Sequence, residues 1–448
     1  MQIKNICCIG AGYVGGPTMS VIALKCPQIK VTVVDVNHDK INAWNGPLDS
    51  LPVYEPGLPE IVGQVRDRNL FFSVDLKGNI EKAEMIFMAV NTPTKTKGEG
   101  AGMAADLRHI EACARDIAKY AKNDKIIIEK STLPVRTAEK IKEILDSEAD
   151  GVNFEILSNP EFLAEGTAIE DLFKSDRVLI GGENSPSSKR ALKSLVEIYE
   201  KWIPKNKILT MGIWTAELAK LASNAMLAQR ISSINSLSAL CENTGADINE
   251  LSIAIGMDHR IGPYFLEASV GFGGSCFQKD ILNLVYLSKY YGLDEVAEYW
   301  HYVIKINDYQ KKRFSKKILQ NFGGEVKNKR VCVLGWAFKP NTNDSRESSS
   351  IYVAVDLLRA GASLNIYDPL VDKNRIIDDL LNVFGGDYFS IISKKLNICS
   401  SIHKAIKNVD SIGILTEWEE FKLFNWDNVN HIPIYWGHKN LKRRLKKN

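Results

Sequence analysis

The segment GFGGSCFQKD, Gly271 to Asp280, places one thiol after three glycines and a serine, with Lys279 and Asp280 within a helical turn of it. A cysteine at the start of a helix faces unpaired backbone N–H groups and the positive end of the helix dipole, which favours the thiolate. A thiolate can add to a carbonyl carbon and carry an acyl intermediate. Asp280 lies four residues beyond Cys276, one turn along the same face, where it could act as a base or orient one. The same letters also describe a glycine turn whose following helix begins with a buried cysteine, so the rest of the chain has to decide.

Other residues of chemical character fall at intervals before this thiol. GAGYVG, from Gly10 to Gly15, follows the apolar run IKNICCI and fits the G-x-G-x-x-G pattern. Its first glycine allows a tight turn, its second lets backbone approach a pyrophosphate, and its third lets helix and sheet pack closely. KVTVVDV ends near Asp35, twenty residues beyond Gly15, where an acidic side chain suits the ribose hydroxyls of NAD and repels the extra phosphate of NADP; Lys40 stands close by. MIFMAV runs into NTPT, and KIIIEKST ends in Ser131 and Thr132; Thr132 reads equally as a helix N-cap. Pro134 stands where a helix is expected to begin. In ILSNPEFLAEG, Glu161 and Glu165 are four apart, and a helix there would point both the same way. Lys220 and Asn224 have the same spacing, which on its own also describes an exposed pair.

The elements that must position these groups are legible as pattern. Short apolar strands alternate with helical segments over the first two hundred residues, which predicts a parallel doubly wound sheet with ligands beyond the carboxyl ends of its strands. From about 212 a proline-free stretch rich in alanine and serine predicts a long helix followed by further helices. Near 325 strand and helix return: KRVCVLGWAFK resembles the opening strand and turn without the full fingerprint, SSSIYVAVDLLRAGA reads as a helix ending at Gly361, and SLNIYDP and VDSIGILT read as strands. Lys339 and Arg346 flank that turn and could hold phosphates, or belong to a solvated loop. The expected fold is α/β, with two Rossmann-like domains (1–211 and 325–448) joined by a long central helix and helical region (212–324).

Composition narrows the class of protein. At 448 residues the chain exceeds one hydrophobic core. Its 57 basic and 54 acidic side chains leave a formal charge of +3, which gives no reason to expect a nucleic-acid partner. The basic run LKRRLKKN reads as a solvated tail. No apolar stretch reaches the roughly 20 residues of a membrane span, and the strand pattern at the N-terminus leaves a signal peptide unexpected. The eight cysteines show no paired spacing, so neither a metal site nor a disulfide framework is expected, and the cytoplasm is the expected compartment.

Taken in order, GAGYVG, VNTPT, EKSTLPVRT, SNPEFLAEG, ELAKLASNAM, GFGGSCFQKD and GWAFKPNTNDSRESSS resemble the UDP-glucose dehydrogenases, within the UDP-glucose/GDP-mannose dehydrogenase family, from residue 1 to about 420. The form GSCFQKD is similar to the animal-type branch. The resemblance implies a four-electron oxidation of UDP-glucose to UDP-glucuronate with two NAD in succession, a helical dimerisation region, and a UDP-binding third domain. The expected assembly is a homo-oligomer, with a dimer as its minimal unit and a hexamer beyond it.

Residue roles follow from the matched motifs. Cys276 matches the family nucleophile, which passes through a thiohemiacetal and a thioester. Lys220 and Asn224 match groups that stabilise developing negative charge on the substrate oxygen. Asp280 and Thr132 match the pair that positions water, and Glu161 matches a general acid–base carboxylate. Gly10, Ala11, Gly12, Tyr13, Val14, Gly15, Asp35, Lys40, Val90, Asn91, Thr92, Pro93, Thr94, Ser131, Glu165 and Arg346 match NAD contacts. Glu161, Phe162, Leu163, Ala164, Glu165, Lys220, Asn224, Arg260, Leu266, Glu267, Ala268, Ser269, Val270, Gly271, Phe272, Gly273, Phe338 and Lys339 match contacts to UDP-glucose, Arg260 reaching a neighbouring subunit's site. One departure stands out. Where relatives carry an FDGR-like segment whose arginine holds UDP phosphates, this chain reads YWGHK, with Trp436 and His438 in place of Asp and Arg and with Lys439 next. Three alternatives stay open: a dehydrogenase of another nucleotide sugar, a two-electron dehydrogenase of the 6-phosphogluconate or hydroxyacid type that needs no thiol, and a nucleotide-binding scaffold without activity.

Overall fold

The computed structural model describes residues 3–384 and 393–438 and divides into two compact units, Met1–Ser223 and Asn224–Asn448. Lys439 lies outside the described residues.

The first unit is built on an eight-stranded sheet: β1 (Asn5–Ile9), β2 (Lys30–Val34), β3 (Leu70–Ser73), β4 (Met85–Met88), β5 (Lys125–Glu129), β6 (Phe154–Ser158), β7 (Val178–Gly182) and β8 (Ile208–Gly212). The spatial order is β3-β2-β1-β4-β5-β6-β7-β8, parallel throughout except between β6 and β7. Helices cover both faces, so the strands are apolar on both sides. Ile6 and Cys8 of β1 face one core with Val31, Phe87 and Trp44, while Cys7 and Ile9 face the other with Ile86, Met88 and Ile117. This alternation explains the adjacent cysteines: each thiol is a small apolar filler in a separate core. Burial pushes the Cys7 thiol up to about 12, despite the opposing charge of Lys125. All eight cysteines are free, and only Cys276 and Cys399 are not buried.

The second unit contains helices and a five-stranded, wholly parallel sheet: β9 (Arg330–Leu334), β10 (Ser363–Tyr367), β11 (Leu396–Ile398), β12 (Ser411–Ile414) and β13 (Ile434–Trp436). Its order, β11-β10-β9-β12-β13, repeats the β3-β2-β1-β4-β5 order of the first sheet. The likeness reaches the hydrogen bonds. Gly10 N donates to Val34 O at 2.8 Å after β1, and Gly335 N donates to Tyr367 O at 2.9 Å after β9. Asp35 accepts from Ala11 N, and Asp368 accepts from Trp336 N and Ala337 N. Trp336 and Ala337 follow Gly335, so the second sheet keeps the opening turn of the first and lacks the glycines that follow it there.

A helix of 32 residues, Ile213–Thr244, bears out the long proline-free stretch; Gly245, at φ +81°, ends it, and Ile248–Gly256 follows. Three local expectations are corrected. The stretch 161–167 is not helical: Glu161 turns back to accept from Leu163 N at 2.6 Å, and the helix starts only at Ala168. The further helices expected after the long one are interrupted: no helix runs between Gly256 and Phe277, so the thiol loop closes a long non-helical stretch. The helix expected at Pro134 begins at Thr137, because Arg136 adopts a left-handed conformation at φ +75°.

That last start is held from outside the segment. Arg136 N and Ala138 N donate to the carboxylate of Glu217 at 2.7 and 2.9 Å, in place of a local cap. Glu217 is 3% exposed and stands beside Glu129, the last residue of β5, which is 1% exposed. Burial, and then repulsion between the two carboxyls, pushes Glu129 well above the carboxylate range; burial raises Glu217 to about 7 against its backbone bonds. The fold thus holds a proton that the unfolded chain releases above its ordinary value of 4.5. Stability from this pair is complete below that value and is lost as pH rises through about 7. We expect the melting temperature to fall between pH 5 and 8, and Glu129→Gln to flatten that fall, as read by thermal unfolding across the range.

Candidate active site

In the first sheet the order in which strands are added reverses between the parallel neighbours β1 and β4, and the turns beyond these strands carry the cofactor candidates. A Cβ at Gly10 (φ +113°) would stand 2.3 Å from Ala89 O, and one at Gly15 would stand 2.0 Å from Gly10 O. At Gly12 a Cβ would meet nothing within 4 Å. Gly10 and Gly15 therefore close the turn, and Gly12 borders open space at the N-terminus of helix Gly15–Lys25, where a pyrophosphate fits. Asp35 Oδ2 accepts from Ala11 N at 2.9 Å and lies 3.0 Å from Lys40 Nζ, while Oδ1 accepts from Asn37 N at 3.0 Å. Burial alone would raise the Asp35 carboxyl; these bonds hold it below the usual range, so it stays an acceptor for a sugar hydroxyl. Tyr13 O–H donates to Tyr54 O at 2.5 Å, which fixes the ring beside the turn.

Across the crevice, Ser131 Oγ donates to Val90 O at 2.6 Å and Thr92 Oγ1 donates to Thr132 O at 3.0 Å. These bonds bring the loop Val90–Thr94 and the residues after β5 to one end of the sheet. Thr132 is not a helix cap, since the next helix starts at Thr137.

Glu161, directly after Pro160 beyond β6, is buried, and its Oε1 lies 3.0 Å from Lys220 Nζ on the long helix; the two side chains are 7% and 4% exposed. Burial would raise the Glu161 carboxyl, but the Lys220 ammonium and the Leu163 N–H outweigh it and hold the carboxyl below its ordinary value. Phe162 covers the pair, with the Lys220 ammonium 5.3 Å and the Arg177 guanidinium 4.1 Å from its ring centre. Leu163 and Glu165 are half-buried and Ala164 is exposed. Glu161 and Glu165 therefore do not share a face: one is a buried ion-pair partner and the other borders solvent.

In the second unit Cys276 occupies the N-cap position of helix Phe277–Tyr290, half-buried, with its sulfur 3.6 Å from Ser275 Oγ. Asp280, 1% exposed, accepts from Asn224 Nδ2 at 2.6 Å. The glycines before the thiol are there for space as well as conformation. A Cβ at Gly273 would stand 2.6 Å from Glu347 O, and one at Gly274 (φ +85°) would meet the Phe338 ring at 2.9 Å. Gly274 N donates to Arg346 O at 2.8 Å. The structure thus brings Phe338 and the backbone of Arg346 against the thiol loop, although both lie far along the chain from Gly274. Val270 and Phe272 are buried, as are Leu266, Ala268 and Ser269, whereas Glu267 is exposed. The Lys339 ammonium stands 5.7 Å from the Phe338 ring centre.

Some candidates sit in plainer settings. The Arg346 side chain points outward onto Asp344, at 2.6 Å, and Arg260 is exposed and pairs with its own neighbour Asp258, also at 2.6 Å. His438 Nδ1 lies 3.2 Å from Glu417 Oε1, and Trp436 packs edge-on against Trp426. Several residues that matter to the geometry were not singled out from the sequence. Asn307 clamps Phe272 by accepting its N–H at 2.8 Å and donating to its carbonyl at 3.0 Å, and Gln310 Nε2 donates to Ser269 O at 2.6 Å. Both sit on helix Asp294–Gln320, where a polar residue on a buried face was the only available signal. Lys130, Asn159 and Tyr199 form a buried polar cluster beneath Glu161.

A parallel sheet with a switch point between β1 and β4, and a glycine turn with open space at Gly12 beside it, define a class: dinucleotide-dependent oxidoreductases. Family models agree. Residues 4–203 match the NAD binding domain of the UDP-glucose/GDP-mannose dehydrogenase family, 214–309 its central domain and 332–435 its UDP binding domain. The sequence is 54% identical over 433 residues to UDP-glucose 6-dehydrogenase 5 of Oryza sativa subsp. japonica, covering 95% of this chain and 90% of that one. It is 54% identical over 431 residues to UDP-glucose 6-dehydrogenase of Rattus norvegicus, covering 96% and 87%. A UDP-glucose dehydrogenase from the hyperthermophilic archaeon Pyrobaculum islandicum superposes with a TM-score of 0.85 at 30% identity, covering 99% of this chain and 96% of that one. The chain belongs to the UDP-glucose/GDP-mannose dehydrogenase family, and it is an NAD-dependent oxidoreductase. Among the described residues no helix is long and apolar enough to cross a membrane.

The glycines make separable predictions. Gly12→Ala should leave the melting temperature within about 2 °C of wild type and weaken NAD binding about tenfold or more. Gly10→Ala should cost about 1–3 kcal/mol of stability or more through strain and its carbonyl clash. Thermal unfolding and NAD titration read the two.

Proposed function

We propose that the chain oxidises UDP-glucose to UDP-glucuronate by a four-electron route through Cys276, forming two NADH. The observation that carries this reading is the half-exposed thiol at the start of helix Phe277–Tyr290, with Asp280 and Asn224 hydrogen-bonded one turn away. An alcohol dehydrogenase that releases an aldehyde has no use for that arrangement.

Bound NAD supplies the hydride acceptor for each of the two oxidations; Gly10 to Gly15, Asp35, Lys40, Val90–Thr94, Ser131, Glu165 and Arg346 are assigned to hold it. Glu161–Glu165, Lys220, Asn224, Leu266–Gly273, Phe338 and Lys339 are assigned to UDP-glucose. In the first oxidation the C6 hydroxyl gives its proton to the water assigned to Asp280 and Thr132 and the carbon loses hydride, while cationic Lys220 and the Asn224 amide stabilise the negative charge on that oxygen. The Cys276 sulfur then bonds to the aldehyde carbon, and the oxygen takes up a proton, giving a thiohemiacetal. Loss of that proton to the same water, and of a second hydride, leaves a thioester. Water held by Thr132 and Asp280 attacks the acyl carbon, the carbon–sulfur bond breaks, and the water proton passes to a carboxylate, for which ionised Glu161 is the assigned base.

The stretches 1–211, 212–324 and 325–448 are assigned to cofactor binding, subunit contact and UDP binding. Exposed Met226, Leu240, Ile253 and Met257 support a homodimer as the minimal unit, with Arg260 acting in the partner's site. The eight free cysteines, six of them buried, support a reducing, cytoplasmic setting.

We expect two NADH per UDP-glucose from the wild type, and Cys276→Ser to stall with the substrate carbon held on the protein, seen by intact mass. One NADH per substrate, or a serine variant as active as the parent, would return the thiol to a packing role. Sedimentation should give a dimer or a multiple of it for the wild type, and smaller species for Leu240→Asp/Met257→Asp; a wild-type monomer would remove the subunit assignment.

A further inference from the structure

Glu161 and Lys220 are accompanied by a second buried cation. Lys130, the residue after β5, is 4% exposed, and its ammonium donates to two neutral groups, Asn159 Oδ1 at 3.1 Å and the Tyr199 hydroxyl oxygen at 3.3 Å. Tyr199 O–H donates in turn to Asn159 Oδ1 at 2.7 Å, and Asn159 Nδ2 donates to Leu179 O at 2.7 Å. Asn159 is 0% exposed and every polar atom of its side chain is engaged, which immobilises the backbone that leads through Pro160 into Glu161.

A buried ammonium satisfied only by neutral dipoles is costly unless a nearby charge compensates it. Four titratable groups face it: Glu161 beyond β6, Lys220 on the long helix, Tyr199 at the end of helix Pro186–Tyr199, and Cys8 on β1. Burial holds the Cys8 thiol and the Tyr199 hydroxyl protonated, well above their ordinary values. Burial lowers Lys130 to about 8, with the Glu161 carboxylate opposing and Lys220 reinforcing. Lys130 is thus the member of the cluster that changes charge just above neutrality.

We propose that Lys130 is a positioning residue for the oxidation: it locks the Asn159–Pro160–Glu161 turn and, as a second cation beside Glu161, keeps that carboxylate ionised and its attraction for Lys220 incomplete. The Lys220 ammonium then retains positive character toward the substrate oxygen. The inference rests on the roles assigned above to Glu161 and Lys220. Loss of the Lys130 proton leaves Lys220 fully neutralised by Glu161, so turnover falls as pH rises through about 8.

The test compares pH profiles of kcat for wild type, Lys130→Met, Lys130→Arg and Glu161→Gln, with KM for NAD and melting temperature measured alongside. Lys130→Met should lower kcat about tenfold near neutrality and remove the alkaline decline, with KM for NAD unchanged to within about twofold. Lys130→Arg, whose guanidinium keeps its proton, should restore most of kcat and extend activity above pH 9. A Lys130→Met enzyme with wild-type kcat and profile, or one altered only in melting temperature, overturns the proposal. If Lys130→Met does not fold, Lys130→Arg and Tyr199→Phe decide: the first must move the alkaline decline upward, and the second, which removes an acceptor from the ammonium, must move it downward. An unmoved decline in both overturns it. Glu161→Gln separates the two levels: an active Glu161→Gln enzyme removes the site assignment itself, whereas an inactive one beside an unaffected Lys130→Met removes only the role of Lys130.

Discussion

A parallel sheet covered by helices on both faces leaves its backbone polar groups engaged everywhere except at the strand ends. Everything chemical in the first unit follows from that constraint. The glycine turn after β1, Asp35 after β2, the Val90–Thr94 loop after β4, Ser131 and Thr132 after β5, and Glu161 after β6 all stand beyond carboxyl ends of strands. The reversal of strand order between β1 and β4 opens the crevice, and open space beside Gly12 marks where a ligand's phosphates can approach backbone. The second sheet repeats the order and the first turn, down to a glycine that donates to the neighbouring strand and an aspartate that accepts from the turn.

Charge inside the first unit is arranged in compensated groups. Glu161 and Lys220 pair directly, Lys130 stands behind them on neutral dipoles, and Glu129 and Glu217 form a carboxyl pair that holds a proton and caps a helix. Buried charges of this kind add little net stability, since desolvation offsets most of the attraction. What they supply is definition: Glu217 sets where the helix after Thr132 begins, and Asn159, locked by Lys130 and Tyr199, sets where Glu161 points.

The thiol loop of the second unit depends on the absence of side chains. Gly273 and Gly274 lie against Glu347 and Phe338 so closely that any Cβ would displace them, and Asn307 clamps Phe272 from a separate helix. A cysteine at a helix start is common enough. Here its approach is fixed by contacts with residues far along the chain, while Asp280 one turn on is held by Asn224.

Much of this protein was legible in its letters because local signals are short-ranged. The strand runs, the G-x-G-x-x-G turn with Asp35 at its usual distance, the long proline-free helix and the chain of family motifs each depend on neighbours within a few dozen residues, and together they determined fold class, cofactor and family. Where expectation and structure parted, a long-range contact decided. The stretch after Pro160 would suit a helix by spacing, but Glu161 is drawn inward by Lys220, and the helix expected at Pro134 waits for a carboxylate eighty residues away. Lys130, Asn159, Tyr199, Asn307 and Gln310 carry no spacing signal at all, because their partners come from other strands and helices. Which ionisable groups are buried, which share a proton and which stay charged depends on three-dimensional neighbours and on the water they exclude, and that only the tertiary structure decides.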